Sequence, residues 1–148
     1  MLKRLFYRLG ALLYTFFTGV KPPTQGERQS VGYIGETIAT RYLKKQRHTI
    51  IKRNWKTLRG EIDIIAMEGN ELVFVEVKTR INSAIARLRL FDTITERKKR
   101  KLKYLAKHFL SKHLYNQTLP SYRIDAIGII LSPDKKKVLH LKHIRRAV

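Results

Sequence analysis

"GEIDIIAMEGNELVFVEVKTR", residues 60–80, holds two runs rich in Ile and Val on either side of Gly69-Asn70. Such runs around a two-residue Gly-containing turn predict an antiparallel β-hairpin. With a two-residue loop, Glu68 pairs with Glu71, and the ladder continues to Asp63 opposite Glu76 and Glu61 opposite Lys78. Side chains alternate along a strand, so all four groups are expected on one face of the sheet. The other face would carry Ile62, Ile64 and Ala66 against Val73, Val75 and Val77, an apolar set for the core. A loop one residue longer makes Asp63 and Glu76 diagonal neighbours, still close together.

Two carboxylates facing each other across a ladder repel. If they are partly buried, one takes up a proton unless a cation neutralises the pair. Oxygen ligands with no Cys or His beside them favour Mg²⁺ or Mn²⁺ over zinc. Such an ion polarises a phosphoryl oxygen and acidifies a bound water. Lys78, two residues past Glu76, would place a positive charge beside that water or the phosphate. The alternative is a structural network in which Lys78 pairs with Glu61 or Glu76, because E-x-K on a strand is a weak signal alone.

Outward from the hairpin, the periodicity predicts a helix over residues 30–45, with Val31, Ile34, Ile38 and Tyr42 or Leu43 on its apolar side. A strand is expected at 50–55, ahead of the hairpin strands at 61–67 and 72–79. After a loop at 80–92, a second helix is expected over 95–114, with Leu102, Leu105, Ala106 and Phe109 buried. Strands at 123–131 and 138–144 flank a Ser132-Pro133-Asp134 turn. The order α-β-β-β-α-β-β implies an α/β domain, a mixed central sheet with flanking helices. Asp125 and Arg123 share a strand face, the spacing of a buried ion pair.

The 148 residues suit one domain. Thirty-two Lys and Arg oppose 11 Asp and Glu, a formal net charge of +21. Self-repulsion on that scale implies a polyanionic partner: nucleic acid first, an anionic membrane surface second. The helix at 95–114 adds to this. "TERKKRKLK" puts Arg97, Lys98 and Lys99 in a first turn, where the helix dipole disfavours cations unless an anion docks there. Thr95 is its expected N-cap. Lys98, Lys99, Lys101 and Arg80 are the candidate nucleic-acid contacts. There is no cysteine, so disulfides and thiolate chemistry are excluded. His140 and His143, three apart on a strand, face opposite ways and do not suggest zinc.

Residues 1–20, "MLKRLFYRLGALLYTFFTGV", have helical apolar spacing with Lys3, Arg4 and Arg8 near the start. The uninterrupted stretch is shorter than the roughly 20 residues a membrane span needs. It reads as an amphipathic helix that docks on the body, meets a partner or lies on an anionic membrane. "KPPTQGE" comes next as a linker. The division expected is 1–25 for helix and linker and 26–148 for the α/β domain. The location expected is cytoplasmic, or peripheral at the inner membrane.

"GEIDIIA" together with "LVFVEVKTR" resembles the signature of the YraN-like bacterial family. "GETIATRYL" at 35–43, "RNW" at 53–55, Lys98 to Leu102 and "RIDAI" at 123–127 extend the likeness, which spans about residues 32–131. The resemblance implies a restriction-endonuclease-like fold, similar to PD-(D/E)XK nucleases and Holliday-junction resolvases. It implies that Asp63 and Glu76, with the Val77 backbone carbonyl, are metal ligands and that Lys78 is the catalytic lysine. Glu36 would be the first-helix acid supporting the metal or its waters, and Lys98 a phosphate or water contact. Glu61, expected across from Lys78, is read from its position as either a ligand or an outer partner of that lysine. The superfamily's proline is replaced by Ile62, and the loop "INSAIARLRL" lacks the expected glycine. The chain thus supports three readings: a Mg²⁺- or Mn²⁺-dependent endonuclease acting on DNA, with branched DNA suggested by the resolvases; a nucleic-acid-binding module without turnover; and a membrane-surface protein recruited through residues 1–20. Resolvases often act as symmetric dimers, which leaves a homodimer open, yet the sequence shows no readable dimer surface.

Overall fold

The structure, a computed structural model, describes residues 30–92, 94–114 and 120–148. The amphipathic reading of residues 1–20 and its linker lies outside them. The described elements run α1 (Val31–Lys45), β1 (Thr49–Thr57), β2 (Gly60–Glu68), β3 (Glu71–Ile81), α2 (Glu96–His113), β4 (Ser121–Leu131) and β5 (Val138–Ile144). This is the order read from the sequence. Ser30 caps α1 by accepting the Tyr33 N–H at 3.1 Å, and Thr95 caps α2 by accepting the Lys98 N–H at 3.3 Å.

The strands form one five-stranded sheet in the order β1-β2-β3-β4-β5. Pairing is antiparallel except between β3 and β4, which α2 links by a parallel crossover. The sheet is therefore mixed, with a helix on each face. On one side Ala39 and Leu43 of α1 pack on Ile64, Ala66, Val73, Val75, Ile127 and Ile129. On the other, Leu102, Leu105, Ala106 and Phe109 of α2 pack on Trp55, Ile65, Leu72 and Phe74. The α2 stripe is the expected one. The α1 stripe is shifted: Gly35, Ala39, Thr40 and Leu43 are its buried residues, and Val31, Ile34, Ile38 and Tyr42 flank them. Small residues at the centre let the helix lie close, and a Cβ on Gly35 would stand 1.7 Å from Thr79 Oγ1.

The hairpin departs from the expected alternation at Ile62. That residue does not share a face with Ile64; it joins Ile65 on the α2 side. Asn54 of β1 has a φ of 49°. It lies between Arg53, paired with Ile64, and Trp55, paired with Ile62. A left-handed residue inside a strand rotates the next residues of the chain. Trp55 and Ile62 are turned towards α2, and Asp63 is skipped in the β1–β2 pairing.

Candidate functional site

The β2–β3 ladder keeps the expected register from Glu68–Glu71 to Ile64–Val75 and stops there. Asp63 and Glu76 are the next residues on each strand. Instead of extending the ladder, the Asp63 side chain reaches across, and its Oδ2 accepts the Val77 N–H at 2.7 Å. A carboxylate replaces the backbone acceptor, and the two strands part around it.

Both acids are buried, each 8% exposed. Glu76 lies on the face of Phe74, as strand alternation requires, and its Oε1 accepts from Lys98 Nζ of α2 at 2.7 Å. Its Oε2 is buried and accepts no hydrogen bond among the described residues. Asp63 is pushed up to about 7, first by burial and then by the negative charge of Glu76. Glu36 adds to that push, while the Val77 N–H and Lys98 oppose it. A carboxyl group is thus half protonated near neutrality for want of positive charge.

Glu36 comes from α1 and belongs to the same field. Burial raises its pKa, and a hydrogen bond from Asn54 and the charge of Arg53 oppose this. Arg53 Nη2 stands 3.8 Å from its Oε2 and also donates to Thr37 Oγ1 at 3.3 Å. Arg53 and Asn54 are site residues that the periodicity did not single out. The usable signal was asparagine inside a strand run, because asparagine tolerates the left-handed conformation better than most residues.

Lys78 lies two residues past Glu76 on the same face and is half-buried. Among the described residues it has neither a hydrogen bond nor an ion pair. Glu61, expected opposite it, pairs with Lys56 across the β1–β2 ladder, Nζ to Oε2 at 3.5 Å. The reason is the end of the β2–β3 ladder: nothing beyond Ile64–Val75 holds Glu61 over Lys78. Lys99 binds Glu96 at 2.7 Å on the exposed side of α2. The ammonium end of Lys101 lies over Gly60. Arg80, at the far end of β3, lines a separate cleft.

The donor set suits a hard divalent cation. It offers buried oxygen atoms, one of them unpartnered, and a carboxyl group whose proton a cation would displace. Among the described residues, no three His, Asp or Glu side chains are arranged to hold a metal ion. Nor is any described helix long and apolar enough to cross a membrane.

The chain is similar to a UPF0102 protein of Chloroflexus aurantiacus, 38% identical over 121 residues that cover 82% of this chain and 94% of the other. A UPF0102 protein of Caldanaerobacter subterraneus subsp. tengcongensis is 34% identical over 122 residues, 81% of this chain and 95% of that one. One from Treponema pallidum is 38% identical over 117 residues, 76% and 90%. A family profile described as "Uncharacterised protein family UPF0102" matches residues 35–129, from the close-packed Gly35 through the diverging hairpin to Ile129 of β4. The chain belongs to the UPF0102 family, the YraN-like family that its hairpin motifs resemble.

Proposed function

We propose that the protein is a metal-dependent phosphodiesterase acting on DNA, with Asp63, Glu76 and Lys78 as its centre. The observation that carries this reading is the end of the β2–β3 ladder. Two buried carboxylates lie close enough there to repel, and among the described residues one oxygen of Glu76 has no hydrogen-bond partner and Lys78, on the same strand face, has no ion pair. Asp63 and Glu76 would hold Mg²⁺ or Mn²⁺, with the Val77 carbonyl and water completing the shell. The bound ion would supply Lewis acidity towards a phosphoryl oxygen. Lys78 orients the attacking water and places a fixed positive charge beside the phosphate. Glu36 supports the acids from α1, and Lys98 holds Glu76 in place. Lys99, Lys101 and Arg80 bring positive charge to the flanking backbone, in keeping with the net +21.

The test is incubation of the full chain with duplex, single-stranded and four-way-junction DNA in Mg²⁺ or Mn²⁺. Cleavage that disappears in Asp63→Asn and Glu76→Gln is expected. A folded sample that cuts none of these substrates overturns the enzymatic reading.

The Lys98–Glu76 ion pair favours a second reading, a nucleic-acid-binding module of the same fold that needs no metal. Salt-sensitive DNA binding that is unchanged in Asp63→Ala and Glu76→Ala, without turnover, would select it. Recruitment to an anionic membrane through residues 1–20 is compatible with either. Deleting those residues and measuring association with phosphatidylserine vesicles tests it, and unchanged binding removes that segment as the anchor.

A further inference from the structure

A cleft of about 590 Å³ opens at the far end of β3, lined by Val31, Thr79, Arg80, Ser83, Arg89 and Asp92 among others. Its outer wall is the loop 82–92. Ala86 and Leu90 of that loop dock on Ile130, with Phe91 packed against them. Leu90 and Phe91 also lie over Gly128, where a Cβ would stand 2.5 Å from each. The Asn82 N–H donates to the Leu131 carbonyl at 2.8 Å. The loop is thus held by packing and a backbone hydrogen bond, and the cleft is formed before any ligand enters.

Arg80 is the unexplained group in it. Its Nε is buried and has no hydrogen-bond partner among the described residues. Among the described residues no carboxylate pairs with its guanidinium. Asp92 also lines the cleft, but its ion pair is with Arg89, Nε to Oδ2 at 3.8 Å, and both side chains are largely exposed. The cleft lining thus holds two guanidinium groups and one carboxylate, that carboxylate is engaged by Arg89, and the buried Arg80 Nε lacks an acceptor among the described residues. A buried N–H without a partner is costly, and for a guanidinium the natural complement is an oxyanion with a fork of acceptors.

Position narrows the ligand. The β3–β4 pairing is unbroken from Glu71–Ser121 to Ile81–Leu131, so alternation along β3 holds to its end. Glu76, Lys78 and Arg80 therefore succeed one another on one face, at steps of roughly 6.6 Å. A phosphate at Lys78 would have its neighbour in the strand near Arg80.

We infer that this cleft binds a flanking, non-scissile phosphodiester of the nucleic-acid strand held at Asp63, Glu76 and Lys78, with Arg80 donating to its oxygens. The inference rests on the proposed nucleic-acid reading and adds a second station to it. The strand must carry a charged linkage on one defined side of the reacting one.

The test is metal-free binding of the full chain to short DNA oligonucleotides, each with one linkage made uncharged as a methylphosphonate. Arg80→Gln, shown to be folded by circular dichroism, is expected to bind roughly tenfold more weakly than wild type. The slope of log K against log salt on single strands should be shallower by about 0.7. One uncharged linkage should weaken wild type by a similar factor and have no further effect on Arg80→Gln. Arg80→Lys keeps the charge without the fork and should recover only part of the loss. If the two losses multiply at every linkage, or Arg80→Gln binds like wild type, the cleft is not a phosphate site while nucleic-acid binding stands. If wild type binds no oligonucleotide even at low salt, both readings fall. Inorganic phosphate alone separates a free-anion site. Saturable amide shifts in loop 82–92, lost in Arg80→Gln without any linkage dependence, would overturn the strand assignment.

Discussion

Asp63 concentrates the chemistry into one residue. Burial and Glu76 raise its pKa from 3.8 to about 7, so the folded chain holds a proton that the unfolded chain has released. That contribution is fully present below about pH 4 and is lost as pH rises towards 7. Within that window each pH unit costs up to about 1.4 kcal/mol. Thermal melts without metal should therefore show that the fall in stability from pH 5 to pH 8 is smaller in Asp63→Asn than in wild type. At pH 8, Mg²⁺ or Mn²⁺ at about 100 times its dissociation constant should return roughly 2.7 kcal/mol to wild type. It should return nothing to Asp63→Asn or Glu76→Gln, and differential scanning fluorimetry with metal titration checks this. If the proposed activity is present, Lys78→Ala should lower kcat by at least about 10² while leaving metal-induced stabilisation intact. The shared face of Glu76 and Lys78 was readable from a spacing of two. The Lys98–Glu76 contact was not, because it joins a helix and a strand 22 residues apart and depends on how α2 is set on the sheet.

The elements place these residues by close approach. Gly35 lets α1 lie against Thr79 of β3 and so carries Glu36 to the site. Gly35→Ala forces a methyl group into the space of Thr79 Oγ1. It should cost about 1–3 kcal/mol in urea unfolding, the usual range for overpacking. Amide shifts should concentrate in α1 and β3. Helix and strand existence came directly from periodicity and caps, as Ser30 and Thr95 illustrate. The parting of β2 and β3 did not. Turn chemistry sets the register at the loop end of a hairpin, and that register held as far as Ile64–Val75. The far end is set by Asn54 and by the Asp63 side chain, which competes with the backbone for the Val77 N–H.

At the scale of the whole molecule, a second group of charges joins the opposite end of the sheet. Arg123, 6% exposed, binds Glu68 at 2.7 Å, Glu71 at 2.5 Å and Asp125 at 3.0 Å. Asp125, fully buried, also accepts from the His143 ring at 2.9 Å and from the Arg146 N–H at 2.9 Å. Burial alone would raise the Asp125 pKa, but these bonds outweigh it and hold it low. The network ties β2, β3, β4 and the end of the chain together. Arg123→Ala leaves those carboxylates without their shared cation and should cost about 3–5 kcal/mol in chemical denaturation. The same-face spacing of Arg123 and Asp125 anticipated their pair but not Glu68 and Glu71, which only the β3–β4 alignment brings near. The net charge of +21 carries a further expectation. DNA binding should fall steeply and linearly on a log–log plot against salt, and a flat response would remove nucleic acid as the partner.

By itself the sequence determined the elements, their order, the hairpin register near its turn and the net charge of +21. Periodicity, caps and turn residues act between near neighbours, so they can be read along the chain. Only the tertiary structure decided which groups lie beside Asp63, which cation pairs with Glu61 and that the buried Arg80 Nε finds no acceptor among the described residues. Those outcomes depend on burial and on contacts between distant segments, where a single left-handed residue or a helix resting on a glycine changes which charges meet.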